Sequence, residues 1–180
     1  KERANMKYEA GLRKRMRFGP AGYPAEGKTP EGALKYTREL GLDALEVEFV
    51  RGARISKERA EAVGKCAKDL DIRLSCHAPY FISFNSETPD TRLKSIDWVM
   101  DTVRAAHSLG AYIIVIHAAT YGKSPDTAGQ SVIDGLRKCR DIMDDEGIKD
   151  VILGIETMGK KGQYGTLKEI SKVMDEVDGV

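Results

Sequence analysis

The stretch Ala44-Leu45-Glu46-Val47-Glu48-Phe49 alternates strictly, placing Leu45, Val47 and Phe49 on one face of an extended chain and Glu46 and Glu48 on the other. An apolar row opposite a carboxylate row suits a strand with helices packed against one face and a polar interior on the other. The two carboxylates are expected either to support a site or to pair inside with Arg73 or Arg17.

Outward from this stretch one unit repeats: a short apolar run, a Gly/Pro/polar loop, then a helical period. The first run is 16–18, followed by a loop over 19–24 and a helix capped by Thr29, with Pro30 in its first turn, ending at Leu40 before Gly41. The run 44–49 leads to a helix from the Ser56 cap to Leu70, and the run 72–76 to one starting near Thr88. The runs 111–116 and 151–155 lead to helices near 130–145 and over 166–177. Strict alternation implies parallel strands with right-handed crossovers. No G-x-G-x-x-G or G-x-x-x-x-G-K-[ST] follows any run, so the nucleotide fingerprints of doubly wound sheets are missing. The expected fold is therefore α/β, of the (β/α)8 TIM-barrel type, with about five βα units in 180 residues. The run ends Phe18, Phe49, His77, His117 and Glu156 are 28 to 40 residues apart, so eight units would need about 250–280 residues.

Composition narrows the class. Charged residues make up 32% of the chain, and no apolar run approaches the ~20 residues of a membrane span. Three cysteines, Cys66, Cys76 and Cys139, share no C-x-x-C spacing, which argues against a disulfide framework or a zinc ribbon. With no apolar h-region near Lys1, a cytoplasmic protein is expected. Residues 1–15 read as a basic leader, disordered or an upstream extension, and 16–180 as the N-terminal part of the barrel domain.

Three runs end alike: Leu74-Ser75-Cys76-His77, Ile114-Val115-Ile116-His117 and Leu153-Gly154-Ile155-Glu156. Each apolar strand carries a metal-binding residue type at its C-terminal edge, the edge at which barrels bind ligands. Two imidazoles and a carboxylate are a common zinc set that leaves a position open for water. Bound zinc lowers the pKa of that water from 15.7 to roughly 7. His107 lies near the end of a helix, where an interaction with the helix dipole is expected instead.

The segment Ser75-Cys76-His77-Ala78-Pro79-Tyr80-Phe81-Ile82-Ser83-Phe84-Asn85-Ser86 resembles a hallmark of endonuclease IV, the metal-dependent apurinic/apyrimidinic endonuclease family. So do Arg92-Leu93-Lys94-Ser95-Ile96, the segment 109–117 and Ile155-Glu156-Thr157-Met158-Gly159-Lys160, and the similarity is greatest to archaeal-type members. The resemblance implies a TIM barrel of the xylose-isomerase-like group with up to three zinc ions, with manganese or iron as alternatives. It implies that His77 and His117 bind one metal and that Glu156 bridges to a second, acting with a metal-bound hydroxide. The implied activity is hydrolysis of double-stranded DNA 5′ to abasic sites, a step of base excision repair.

The same resemblance implies DNA contacts from Tyr80, from Arg54 after the run 44–49, from Gly22 and Tyr23 in the first loop, and from Lys160. Loop anchoring is the alternative for Tyr80, and ordinary solvation for Arg54 and Lys160. Where bacterial members have His-Pro-Gly, this chain reads His117-Ala118-Ala119. Val180 falls where a sixth strand would begin, so the ligands the family carries on strands six to eight lie outside this sequence. The piece by itself is expected to be inactive or weak, and to self-associate where the full-length parent would be a monomer. Two other functions remain open: a sugar isomerase or epimerase on the same barrel, and a non-catalytic half-barrel.

Overall fold

The computed structural model describes residues 16–180, so the basic leader expected over 1–15 lies outside the described residues. Four parallel strands, β1 (Ala44–Glu48), β2 (Arg73–His77), β3 (Ile113–Ile116) and β4 (Ile152–Ile155), lie side by side in chain order. Five helices follow them or the first loop: α1 (Pro30–Glu39), α2 (Lys57–Asp69), α3 (Pro89–Leu109), α4 (Pro125–Asp145) and α5 (Leu167–Glu176). A 3-10 turn over Ala25–Gly27 precedes α1. In-order parallel strands with a helix after each are the curved wall of a partial (β/α) barrel, as the sequence predicts.

The helix starts follow their caps. Thr29 and Ser56 each accept from the backbone N–H three residues on, and Thr166 forms a reciprocal capping box with Glu169. The α4 helix starts five residues before the expected Gln130, because Pro125 occupies its first turn and Asp126 faces the helix dipole. The large apolar residues mark this helix only from Val132 onward, because the turn before it buries the small Ala128.

The expected strand over 16–18 is the largest departure. This segment runs parallel beside β1, and Phe18 and Pro20 carbonyls accept from Ala44 and Glu46 N–H at 3.0 Å each. The Gly22 N–H then donates back to the Glu46 carbonyl at 2.9 Å. Two donors are missing from this ladder, the N–H that proline lacks at position 20 and that of Phe18, which donates to Asp43 Oδ1 at 3.0 Å, so only Ala21 and Glu46 bridge. Met16 and Phe18 remain exposed.

Along each strand, burial alternates. Leu45, Val47, Leu74, Cys76, Ile114, Ile116 and Leu153 are buried under the helices. Glu46, Ser75, His77, Val115 and Gly154 take the opposite, half-open face. Neither arginine serves as the interior partner considered for the carboxylates. Arg17 pairs with Asp71 at 2.8 Å, and the Arg73 guanidinium lies 3.6 Å over the Tyr112 ring. The inner Glu46 carboxylate instead accepts from the Ser75 hydroxyl at 3.1 Å. All three cysteines are free, and burial pushes the thiols of Cys76 and Cys139 up to about 12. Among the described residues no helix is long and apolar enough to cross a membrane.

Candidate metal centre

His77 is the last residue of β2, while His117 and Glu156 each stand one residue beyond β3 and β4. Each lies an odd number of positions from the buried residues of its strand, so all three side chains leave on the interior face. Adjacent strands in register then bring them to one point. Oε2 of Glu156 is 3.1 Å from Nε2 of His77 and 2.8 Å from Nε2 of His117. The imidazoles meet edge to face with centroids 5.0 Å apart. One ligand atom from each residue falls within 4.8 Å of the others, the one such His/Cys/Asp/Glu group among the described residues.

The donor chemistry fits a cation. The Nδ1–H of His77 donates to the Ala78 carbonyl at 2.7 Å and so turns Nε2 toward Glu156, where the ring would offer a lone pair to a cation that displaces the Nε2 proton. Burial pushes the Glu156 carboxyl up, but the hydrogen bonds from His77 and His117 outweigh it and hold the group below the ordinary carboxylate value. An ionised carboxylate and two Nε2 atoms form a hard–borderline donor set that suits zinc or a similar divalent ion. His107 stands apart from it: at the end of α3 its Nδ1 lies 2.7 Å from Asp150 Oδ1, a carboxylate partner in addition to the expected helix dipole.

Beside the imidazoles lies a cavity of about 270 Å³, walled by Glu48, Phe49, Val50, Ala78 and Tyr80 together with His77 and His117. Tyr80 is therefore brought to the centre, 62% exposed, while its neighbour Phe81 packs edge to face on Trp98 at 4.4 Å. Phe81 anchors the loop on Trp98, and the exposed Tyr80 ring stands edge to face against Phe81 with centroids 5.9 Å apart. Glu48 pairs with His77 in the strand register. A Cβ on Gly22, whose φ is +81°, would stand 3.3 Å from Glu48 Oε2, so the first loop folds over that carboxylate. Tyr23 turns toward the helix layer instead. Although it is a third exposed, burial pushes its phenol up to about 12, with Cys76 and Glu31 adding to the rise. Arg54 and Lys160 are exposed in the loops after β1 and β4, outside this cavity.

Two residues absent from the sequence-based site tie the loops together. Asn85, buried in the loop after β2, donates to the carbonyls of Thr120, Tyr121 and Ser124 at 3.0–3.3 Å and accepts from Thr127. The loops after β3 and β4 zip antiparallel: Tyr121 N–H donates to Gly162, and Tyr164 N–H to Ala119, at 3.0 Å each. The carboxylate of Glu169 closes this pair of loops through Tyr121 and Gly165. Its place three residues after Thr166 marks a capping box in the sequence, but nothing local marks its bond to a residue 48 positions away.

The chain is similar to several known proteins. It is 28% identical over 162 residues to an uncharacterized protein of Methanocaldococcus jannaschii, an alignment covering 89% of this chain and 58% of the relative. It is 31% identical over 124 residues to a probable endonuclease 4 of Streptomyces avermitilis, covering 63% and 39%. The chain thus spans well under two-thirds of the curated relatives it matches. Among solved structures, an L-ribulose 3-epimerase superposes with a TM-score of 0.71 at 16% identity, covering 92% of this chain and 59% of that one. Endonuclease IV from Thermus thermophilus superposes with a TM-score of 0.67 at 22% identity, covering 90% and 60%. These two likenesses concern the fold alone. The family model described as xylose isomerase-like TIM barrel matches residues 34–180, and the chain belongs to that family.

Proposed function

We propose that the whole protein is a metal-dependent phosphodiesterase that cuts DNA 5′ to abasic sites, and that His77, His117 and Glu156 hold one of its ions. The observation that carries this reading is the convergence of two imidazoles and one carboxylate on a single point from three separate strand ends. The endonuclease 4 relatives, at about 30% identity, favour DNA as the substrate class. A divalent ion bound there supplies Lewis-acid charge for a phosphoryl oxygen and a nucleophile usable at neutral pH.

The chain's own residues prepare that position. Glu156 keeps its negative charge through two hydrogen bonds, and the proton it shares with each imidazole occupies the place a cation would take. The Ala78 carbonyl orients His77. Tyr80 offers an exposed ring at the rim, where it can stack against the sugar or base beside an abasic gap. Arg54 and Lys160 offer exposed cations for backbone phosphates, and Gly22 and Tyr23 a first-loop contact. The test is incubation of the whole protein with an abasic-site duplex and zinc, with and without His117→Ala. Incision 5′ to the site, lost in the variant, supports the reading; no incision at any metal loading sinks it.

A second reading is a sugar epimerase or isomerase. Glu48, a carboxylate in the cavity beside His77, suits polyol hydroxyls better than phosphate. Turnover of a ketose without incision of abasic DNA selects this alternative.

A further inference from the structure

The carboxylate of Glu169, on the first turn of α5, makes more contacts than its helix requires. The capping box uses one oxygen: Oε2 accepts from Thr166 N–H at 2.8 Å, and Glu169 N–H donates to the Thr166 hydroxyl at 3.3 Å. That same Oε2 also accepts from Gly165 N–H at 3.2 Å and from the Thr166 hydroxyl at 2.7 Å. The other oxygen, Oε1, accepts from the Tyr121 hydroxyl at 2.8 Å, across the gap between two loops.

Two of these donors, Tyr121 and Gly165, lead to the residues read as metal ligands. Tyr121 is four positions beyond His117, in the segment zipped to 162–164. Gly165 is packed directly on the backbone of Glu156: a Cβ there would stand 2.7 Å from the Glu156 carbonyl oxygen and 3.2 Å from Met158 N. The Met158 N–H in turn donates to the Gly165 carbonyl at 3.0 Å. Only glycine permits this approach at φ +145°. Where Glu169 holds Gly165, the backbone of Glu156 must follow.

We propose that Glu169 is a positioning residue for the metal centre, one oxygen holding the loop after His117 and the other the loop after Glu156 in a fixed relation. The proposal rests on reading His77, His117 and Glu156 as metal ligands. A purely structural role is separable from it. Glu169→Gln keeps an oxygen for the cap but turns an amide N–H₂ to Tyr121, which cannot accept from the hydroxyl and can only donate to its oxygen, a neutral bond in place of a charge-assisted one. Tyr121→Phe removes the same bond from the other side.

The experiment titrates cobalt(II) alone into the 180-residue chain and follows its ligand-field spectrum, with circular dichroism and melting as folding controls. Tyr121→Phe and Glu169→Gln should each weaken cobalt binding about 10-fold, the low end for residues supporting metal ligands. The double variant should lose no more than Tyr121→Phe alone, since both substitutions act on one bond. Thr166→Ala, which weakens the cap and leaves Tyr121 and Gly165 bound, should lower the melting temperature without changing affinity. Folded Tyr121→Phe with wild-type affinity and spectrum overturns the proposal, as does an equal loss in Thr166→Ala. If the unaltered chain binds no cobalt and His117→Ala changes nothing, the metal reading fails on its own. Amide exchange of Met158 and Tyr164 in the metal-free protein then decides the positioning role: faster in both variants upholds it, and unchanged rates reject it.

Discussion

Nε2 of His117 and Oε2 of Glu156 stand 2.8 Å apart, although 39 residues separate them in the chain. The contact joins the ends of two neighbouring strands, and the same oxygen also reaches His77. A cation arriving here displaces protons rather than ordering a loose site. Replacing His117 by alanine should therefore weaken zinc or cobalt binding by more than about 100-fold, beyond the range typical of outer contacts. Isothermal titration of the variant at neutral pH checks this; near-normal affinity would place the ion elsewhere.

Tyr80 separates binding from stability. Its ring is 62% exposed, so Tyr80→Ala should change unfolding free energy by no more than about 0.5 kcal/mol. If the ring stacks at the abasic gap, the same variant of the whole protein should bind an abasic duplex about 1–3 kcal/mol more weakly. Fluorescence anisotropy with a labelled duplex reads the second effect and urea unfolding the first.

Asn85 should behave in the opposite way. Its amide donates to three carbonyls of the loop after β3 from a buried position, so Asn85→Ala removes a donor shared among them, while the Tyr121 and Ser124 carbonyls keep their bonds from Ser124 N–H and the Thr127 hydroxyl. A loss of about 1–3 kcal/mol is expected. Asn85→Asp should be at least as damaging, because a carboxylate would face three carbonyl oxygens. Chemical denaturation of both variants tests the ordering.

Gly135, inside α4, pits propensity against packing. Helix propensity alone favours alanine there by up to about 1 kcal/mol. A Cβ at this position would lie 2.4 Å from the Phe84 ring, which is itself buried at 2% exposure. Gly135→Ala should therefore destabilise by about 1–3 kcal/mol, as overpacking does. A stabilised variant would mean that the Phe84 loop is free to move away.

Glu169 gives the fold an acid limit. Burial pushes its carboxyl up, yet hydrogen bonds from Thr166, Tyr121 and Gly165 bring it below its ordinary value of 4.5. A lowered folded pKa means that this contribution is fully present above about pH 4.5 and is lost as pH falls below it. Glu169→Gln should thus flatten the decline of melting temperature as pH falls below about 4.5, relative to the unaltered chain. Parallel declines would remove Glu169 as a source of acid sensitivity.

Much of this molecule is legible in its sequence because the signals are local. The alternation in 44–49, the caps at Thr29, Ser56 and Thr166, and the repeated strand ends are each set by backbone geometry over a few residues. That periodicity also set the side of the sheet on which His77, His117 and Glu156 emerge. Tertiary structure decided what depends on distant partners. Pro20 turned an expected strand into an interrupted edge because its missing N–H is needed only once β1 lies alongside. Arg73 found the Tyr112 ring, and Tyr23 turned toward the helices. Asn85 and Glu169 acquired their ties from loops 35 to 48 residues away. The spacing of residues along a strand tells which face a side chain takes, but hydrogen bonds between loops are made only after the strands have paired.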